Sequence, residues 1–154
     1  MGIIEKSIEI KAPPEKVWEM LAFDRFPEWD EGFGERVKYT SEVKTFKDKY
    51  RVGATAQGIP KKPGENYCRF EILESREHEK IRFFAWEKPK FFGKLSMFIS
   101  YYLELVGTDT KFTYELESDF WGIFGKFLEK LYLRRMVENQ IQKALENLKS
   151  LLEK

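Results

Sequence analysis

Residues 3 to 11, IIEKSIEIK, alternate so that Ile4, Lys6, Ile8 and Ile10 share one face, the period of a half-buried strand. In the following APPEKVWEMLA, Pro13 and Pro14 suit a helix start, and Val17, Met20 and Leu21 recur at helical spacing. The segment DRFPEWDEGFGE predicts a second short helix, with Asp24 as its candidate cap, Pro27 near its first turn and Gly32 and Gly34 at its end.

From residue 36 the period becomes that of strands. RVKYTSEV (36–43), YRVGATAQ (50–57), NYCRFEILES (66–75), KIRFFAWEK (80–88), KLSMFISYYLELV (94–106) and TKFTYELES (110–118) follow one another through short connections holding Gly, Pro, Lys and Asp. Such connections favour antiparallel hairpins over helical crossovers. Residues 120–154 carry a helical period without proline, although Gly122 and Gly125 weaken its first turns. A sheet with one apolar face must cover that face, and this long helix is the only element large enough. The pattern therefore predicts a single α+β domain over residues 1–154, a helix packed on a curved antiparallel sheet.

Alternation also assigns the inner face. Leu95, Met97, Ile99, Tyr101, Leu103 and Leu105 point one way on their strand, Phe112, Tyr114 and Leu116 on the next; Cys68, Phe70 and Ile72, and Ile81, Phe83 and Ala85, complete the set. As a binding site, this face would offer Phe70, Phe83, Met97, Tyr101, Phe112 and Tyr114 as the lining of a ligand cavity. As plain structure, the same side chains would fill a core. The two tyrosines matter within that set, because a buried phenol needs a hydrogen-bond partner, from a ligand, the backbone or a trapped water.

The stretch IEIKAPPEKVWEMLAFDRFPEWDE resembles the signature of the SRPBCC or START-like helix-grip superfamily: a strand, the Ala12-Pro13-Pro14 helix start, Val17-Trp18, and Asp24 before Pro27-Glu28-Trp29. The VGATAQG strand and the terminal helix fit as well. That superfamily includes START lipid-transfer domains, polyketide cyclases, coenzyme-Q-binding proteins and birch-pollen-allergen-like proteins. The resemblance implies a seven-stranded antiparallel sheet wrapped around the C-terminal helix, two short helices after the first strand, and a deep apolar cavity between sheet and helix. It implies no particular catalytic residue, so a site must be argued from the residues of this chain.

Composition narrows the functions. With 27 basic and 26 acidic side chains the net charge is +1, which supplies no general attraction to nucleic acid, and no single-strand stacking motif is present. The charged, alternating N-terminal residues do not read as a signal peptide, and no apolar run approaches a membrane span, so a cytoplasmic protein is expected. One cysteine and one histidine leave no ligand set for a nitrogen and sulfur zinc site, and no cofactor motif is present; GFGERV lacks the third glycine and the preceding strand of a phosphate loop. Cys68 reads as an inert core thiol and His78, in SREHEKI, as a solvated turn residue. Abundant charge and aromatics with few Asn and Gln fit a heat-adapted source.

In an up-and-down meander alternate connections share an end. KTFKDK, REHEK and GTDT collect at one end and are polar. GIPKKPGE (58–65), EKPKFFGK (87–94) and DFWGIFGK (119–126) collect at the other, where Phe91, Phe92, Trp121 and Phe124 stand beside several lysines. Turns lie at the surface, so this aromatic group predicts a portal over the cavity, with peripheral membrane contact through its lysines, a docking surface for a partner, or a packed plug.

On the terminal helix Phe127, Val137, Ile141, Leu145, Leu148 and Leu152 form an apolar stripe, with Arg134 near its centre and Glu138 at its edge. Arg134 could form a structural ion pair with Glu138, present its donors to a ligand carboxylate, phosphate or ketone, or snorkel to water. The leading expectation is a binder or carrier of a hydrophobic small molecule such as a lipid, quinone or isoprenoid. The alternatives are a cyclase, aromatase or hydrolase acting in the same cavity, using Arg134, Glu138 and a tyrosine, and a co-chaperone-like interaction module. The oligomeric state is not legible.

Overall fold

The computed structural model describes residues 2–30, 35–59, 68–87, 95–118 and 127–154. Seven strands form one antiparallel sheet in the order β1-β7-β6-β5-β4-β3-β2, with β1 Gly2–Ile10, β2 Arg36–Tyr39, β3 Thr55–Ile59, β4 Cys68–Arg76, β5 Lys80–Glu87, β6 Leu95–Val106 and β7 Asp109–Ser118. Helix α1, Pro14–Glu19, follows β1, and the long helix α2 covers Phe127–Leu152. This is the helix-grip α+β fold.

Register turns alternation into rows across the inner face. Ile4, Leu116, Ile99 and Phe83 form one row; Lys6, Tyr114, Tyr101 and Ile81 form the next; Ile8, Phe112 and Leu103 form a third. Between β6 and β7 the chain reverses at Gly107, whose φ of +64° belongs to the left-handed region that glycine enters without steric cost.

Several boundaries differ from the sequence expectation. The second short helix is a 3-10 helix over Phe23–Glu28, and Asp24 does not cap it: its carboxylate pairs with Lys49 at 2.7 Å. The strand expected at 50–57 begins at Thr55, because residues 46–50 form a second 3-10 helix held by a capping box between Thr45 and Asp48. Leu105, assigned to the inner face, is 63% exposed, since β6 runs past the edge of the core there. On the outer face Ser100 is buried, accepting a bond of 3.0 Å from the Arg82 guanidinium, which packs over the Phe98 ring.

The first 3-10 helix fills the concave side. Three residues per turn bring Phe23, Phe26 and Trp29 onto one face, and all three are buried. Their rings meet Phe70, Phe83, Tyr101 and Phe112 of the sheet at centroid separations of 5.2 to 6.2 Å. The Trp29 indole N–H donates to the Met20 carbonyl at 2.9 Å, so its polar atom is satisfied inside the core.

Helix α2 is fixed along the free edge of β1. The Arg134 guanidinium donates to the Ile3 carbonyl at 3.0 Å, and the Lys149 ammonium to the Glu9 carbonyl at 2.8 Å. Fifteen helical residues span about 22 Å and six strand residues about 20 Å, so the two contacts match along parallel axes. Edge-strand carbonyls that would otherwise invite another strand are thereby occupied.

Candidate functional site

The C-terminal half of α2 grips the sheet: Ile141, Ala144, Leu145 and Leu148 are buried, and the Asn147 side-chain amide donates to the Trp29 carbonyl at 3.3 Å. Over residues 134–140 no side chain is buried; Val137 and Glu138 are half-buried and the rest exposed. Over these residues the stripe meets the core through Val137, which packs against it half-buried. Below it the sheet stays apolar, with Ile4, Ile99 and Leu116 in one row and Met97, half-buried, in the row beyond.

The expected cavity lining divides in two. Phe70, Phe83, Tyr101 and Phe112 have no accessible surface and belong to the aromatic core built by Phe23, Phe26 and Trp29. The cause of their burial is the 3-10 helix, whose three-residue period sets Phe23, Phe26 and Trp29 against them. Tyr114 and Leu116 are buried as well, and Met97 is half-buried. Ile141, buried, closes the gripped half of the helix. The side chain of Phe127 lies outside the described residues, as do Phe91, Phe92, Trp121 and Phe124.

Arg134 departs from its expected place. Its side chain is 45% exposed, donating from Nε to Glu138 at 3.0 Å and from Nη2 to the β1 backbone. Carrying the charge to the helix edge avoids the cost of an arginine at the centre of an apolar stripe. Of the three alternatives for this residue, a donor aimed at a ligand is the one this geometry does not support.

The polar group inside the fold is instead one the sequence reading missed. Asp30 is 2% exposed and accepts a bond of 3.1 Å from the Tyr114 hydroxyl. Tyr101 packs edge-on against Tyr114, ring centroids 4.9 Å apart, and its buried hydroxyl makes no well-formed hydrogen bond among the described residues, although it lies near enough to the Tyr114 hydroxyl for each to influence the other's ionisation. Burial first, and then the negative charge of Asp30, push both phenols well above the ordinary tyrosine value, so both remain neutral donors at physiological pH. A signal for Asp30 was present: it directly follows Trp29 at the end of the Phe23, Phe26, Trp29 triplet, where the chain leaves the core.

His78 sits in the β4–β5 turn as expected, yet it does not simply face water: it adopts a φ of +64° and sets its ring edge-on to Trp18 at 6.1 Å. Cys68 is a buried free thiol. Among the described residues no group of three or more His, Cys, Asp or Glu could hold a metal ion, and no helix is long and apolar enough to cross a membrane.

A family model described as polyketide cyclase / dehydrase and lipid transport matches residues 1–153. No curated protein is recognisably similar in sequence. Among solved structures, protein MLL2253 from Mesorhizobium loti is similar at a TM-score of 0.73 and 16% identity, covering 99% of this chain and 97% of its own. DynU16, a protein of the dynemicin biosynthetic locus, is similar at 0.66 and 14%, covering 98% of this chain and 47% of its own. The Aha1 dimer from Colwellia psychrerythraea is similar at 0.64 and 18%, covering 99% and 97%. At these identities the likeness concerns the fold.

Proposed function

The chain belongs to the polyketide cyclase / dehydrase and lipid transport family, and from that premise we propose that it binds and carries a hydrophobic small molecule, such as a lipid, quinone or isoprenoid, between the sheet and the N-terminal half of α2. The observation that carries this reading is the loss of buried positions over residues 134–140 above a sheet surface that remains apolar at Ile4, Met97 and Leu116. Where the helix meets the sheet through a half-buried Val137 and no fully buried side chain, an apolar guest can be accommodated between them.

The test is a titration of delipidated protein with palmitate and with a short-chain ubiquinone analogue, followed by native mass spectrometry. Saturable binding of either is expected, abolished by Leu116→Trp, which fills the space. Lack of binding of both probes, or binding indifferent to Leu116→Trp, would sink the proposal.

A second reading rests on the Asp30 and Tyr114 pair. A buried carboxylate can take a proton from the carbon beside a substrate carbonyl, becoming the neutral acid, while the Tyr114 hydroxyl that donates to it holds it in place. Turnover lost in Tyr114→Phe while binding survives would favour catalysis over carriage. The aromatic end, with its reading as portal, membrane contact or docking surface, lies outside the described residues.

A further inference from the structure

At the end of the sheet away from that gap, α1, the second 3-10 helix and the β4–β5 turn enclose a separate concavity of about 400 Å³. We propose that it binds an organic ammonium ion carrying an apolar body. Its volume suits a small molecule.

The apolar floor is fixed in place. Trp18 stacks on Tyr50 with centroids 4.8 Å apart and planes 21° apart, and the Tyr50 hydroxyl donates to the Trp18 carbonyl at 3.0 Å. Beside them Phe46, 54% exposed, lies 5.4 Å from the Tyr50 ring and is left unburied by the fold. An apolar body has a ring to lie against there, and a cation has aromatic faces and edges to approach.

The walls supply negative charge. Glu15 and Glu19 stand four residues apart on α1, on the same face as Trp18, where like charges repel. Neither forms an ion pair among the described residues. Asp48 and Glu77 raise the lining carboxylates to four, against Lys47 and Arg51. Arg51 is turned to Asp48 at 3.7 Å, and Asp48 also accepts the backbone N–H groups of Lys44 and Thr45. Glu15 and Glu19 thus stand over an aromatic floor without an ion-pair partner among the described residues, in a lining with two more carboxylates than lysine and arginine side chains, an arrangement that an ammonium group relieves.

His78 forms the remaining wall. Its left-handed φ would suit glycine better, yet the residue present brings an imidazole against the Trp18 edge and narrows the concavity.

The experiment uses the full chain with phenethylammonium and phenylacetate, probes of the same body and opposite charge, and follows the Trp18 indole and His78 ring signals by NMR. Saturable shifts with phenethylammonium are expected at both residues, with phenylacetate at least tenfold weaker. The double variant Glu15→Gln, Glu19→Gln should weaken the ammonium at least tenfold while its thermal midpoint stays level or rises. His78→Gly should weaken it severalfold without lowering that midpoint. Equal response to the two probes, no saturable shift at Trp18, shifts confined to the residues beneath α2, or ammonium binding unchanged in the double variant would each overturn the proposal.

Discussion

From Ile141 to Leu148 helix α2 buries a residue at every turn, whereas over residues 134–140 it buries none, although its apolar stripe continues through Val137. The difference lies in what each half meets. The C-terminal half faces the side of the sheet occupied by Trp29 and its aromatic neighbours, and Asn147 bonds that segment directly. Residues 134–140 lie toward the Met97, Ile99 and Leu116 rows, where Val137 packs half-buried on the core and Arg134 ties the helix to β1. One helix thus serves as both core and cover, and the proposed ligand space lies under the part that is only cover.

The largest expected effect breaks the gripped half. Leu145→Ala removes a side chain with no accessible surface and should cost about 3–5 kcal/mol in chemical denaturation. Val137→Ala, on the same stripe but half-buried, should cost less than about 1 kcal/mol. Similar losses at the two sites would show the helix to be gripped evenly, and the proposed space would vanish with the contrast.

An alkaline titration sharpens the comparison through the rows of the sheet. The folded chain holds Tyr101 and Tyr114 protonated above the ordinary value of 10, and burial raises Tyr39 and Tyr50 as well. Above pH 10 the unfolded chain therefore binds fewer protons than the folded one, and stability falls as pH rises. Below pH 10 these groups contribute no slope. Each such buried tyrosine should add about 1.4 kcal/mol per pH unit between 10 and its folded value. Tyr114→Phe should flatten the fall; an unchanged slope would show that the phenol is not held neutral by its surroundings.

Tyr101→Phe and Tyr114→Phe should differ at neutral pH. Deleting the Tyr101 hydroxyl removes an orphan and should leave stability unchanged or raise it by about 1 kcal/mol, whereas deleting that of Tyr114 strips a bond from buried Asp30 and should cost about 1–3 kcal/mol. Equal costs would mean that Tyr101 has a structural partner rather than a vacant donor.

What the sequence made legible follows from period. Strand alternation named the inner face from Cys68 to Leu116 almost residue by residue, and the helix stripe was right where the helix is gripped. The depth of each position was not legible, because it depends on what lies opposite. Phe70 and Phe112 look like cavity lining until Phe26 and Trp29 are placed against them, and that placement needs a three-residue period read as 3-10 helix rather than as α-helix. Arg134 shows the same limit. Its position in the stripe was correct, yet a long side chain can leave its stripe, and the free Ile3 carbonyl at the sheet edge gave it somewhere to go.

The smallest expected effect concerns that residue. An exposed ion pair contributes about 0–1 kcal/mol, so Arg134→Met should barely change stability. It does remove the bond that holds the loose half of α2 to β1, while the Lys149 bond at the gripped half remains. If the loose half covers the ligand, Arg134→Met should speed release of a fluorescent fatty acid severalfold, and Lys149→Met should leave release unchanged. Equal release rates in the two variants would mean that the whole helix moves as one body, and that the contrast between its halves is one of packing alone.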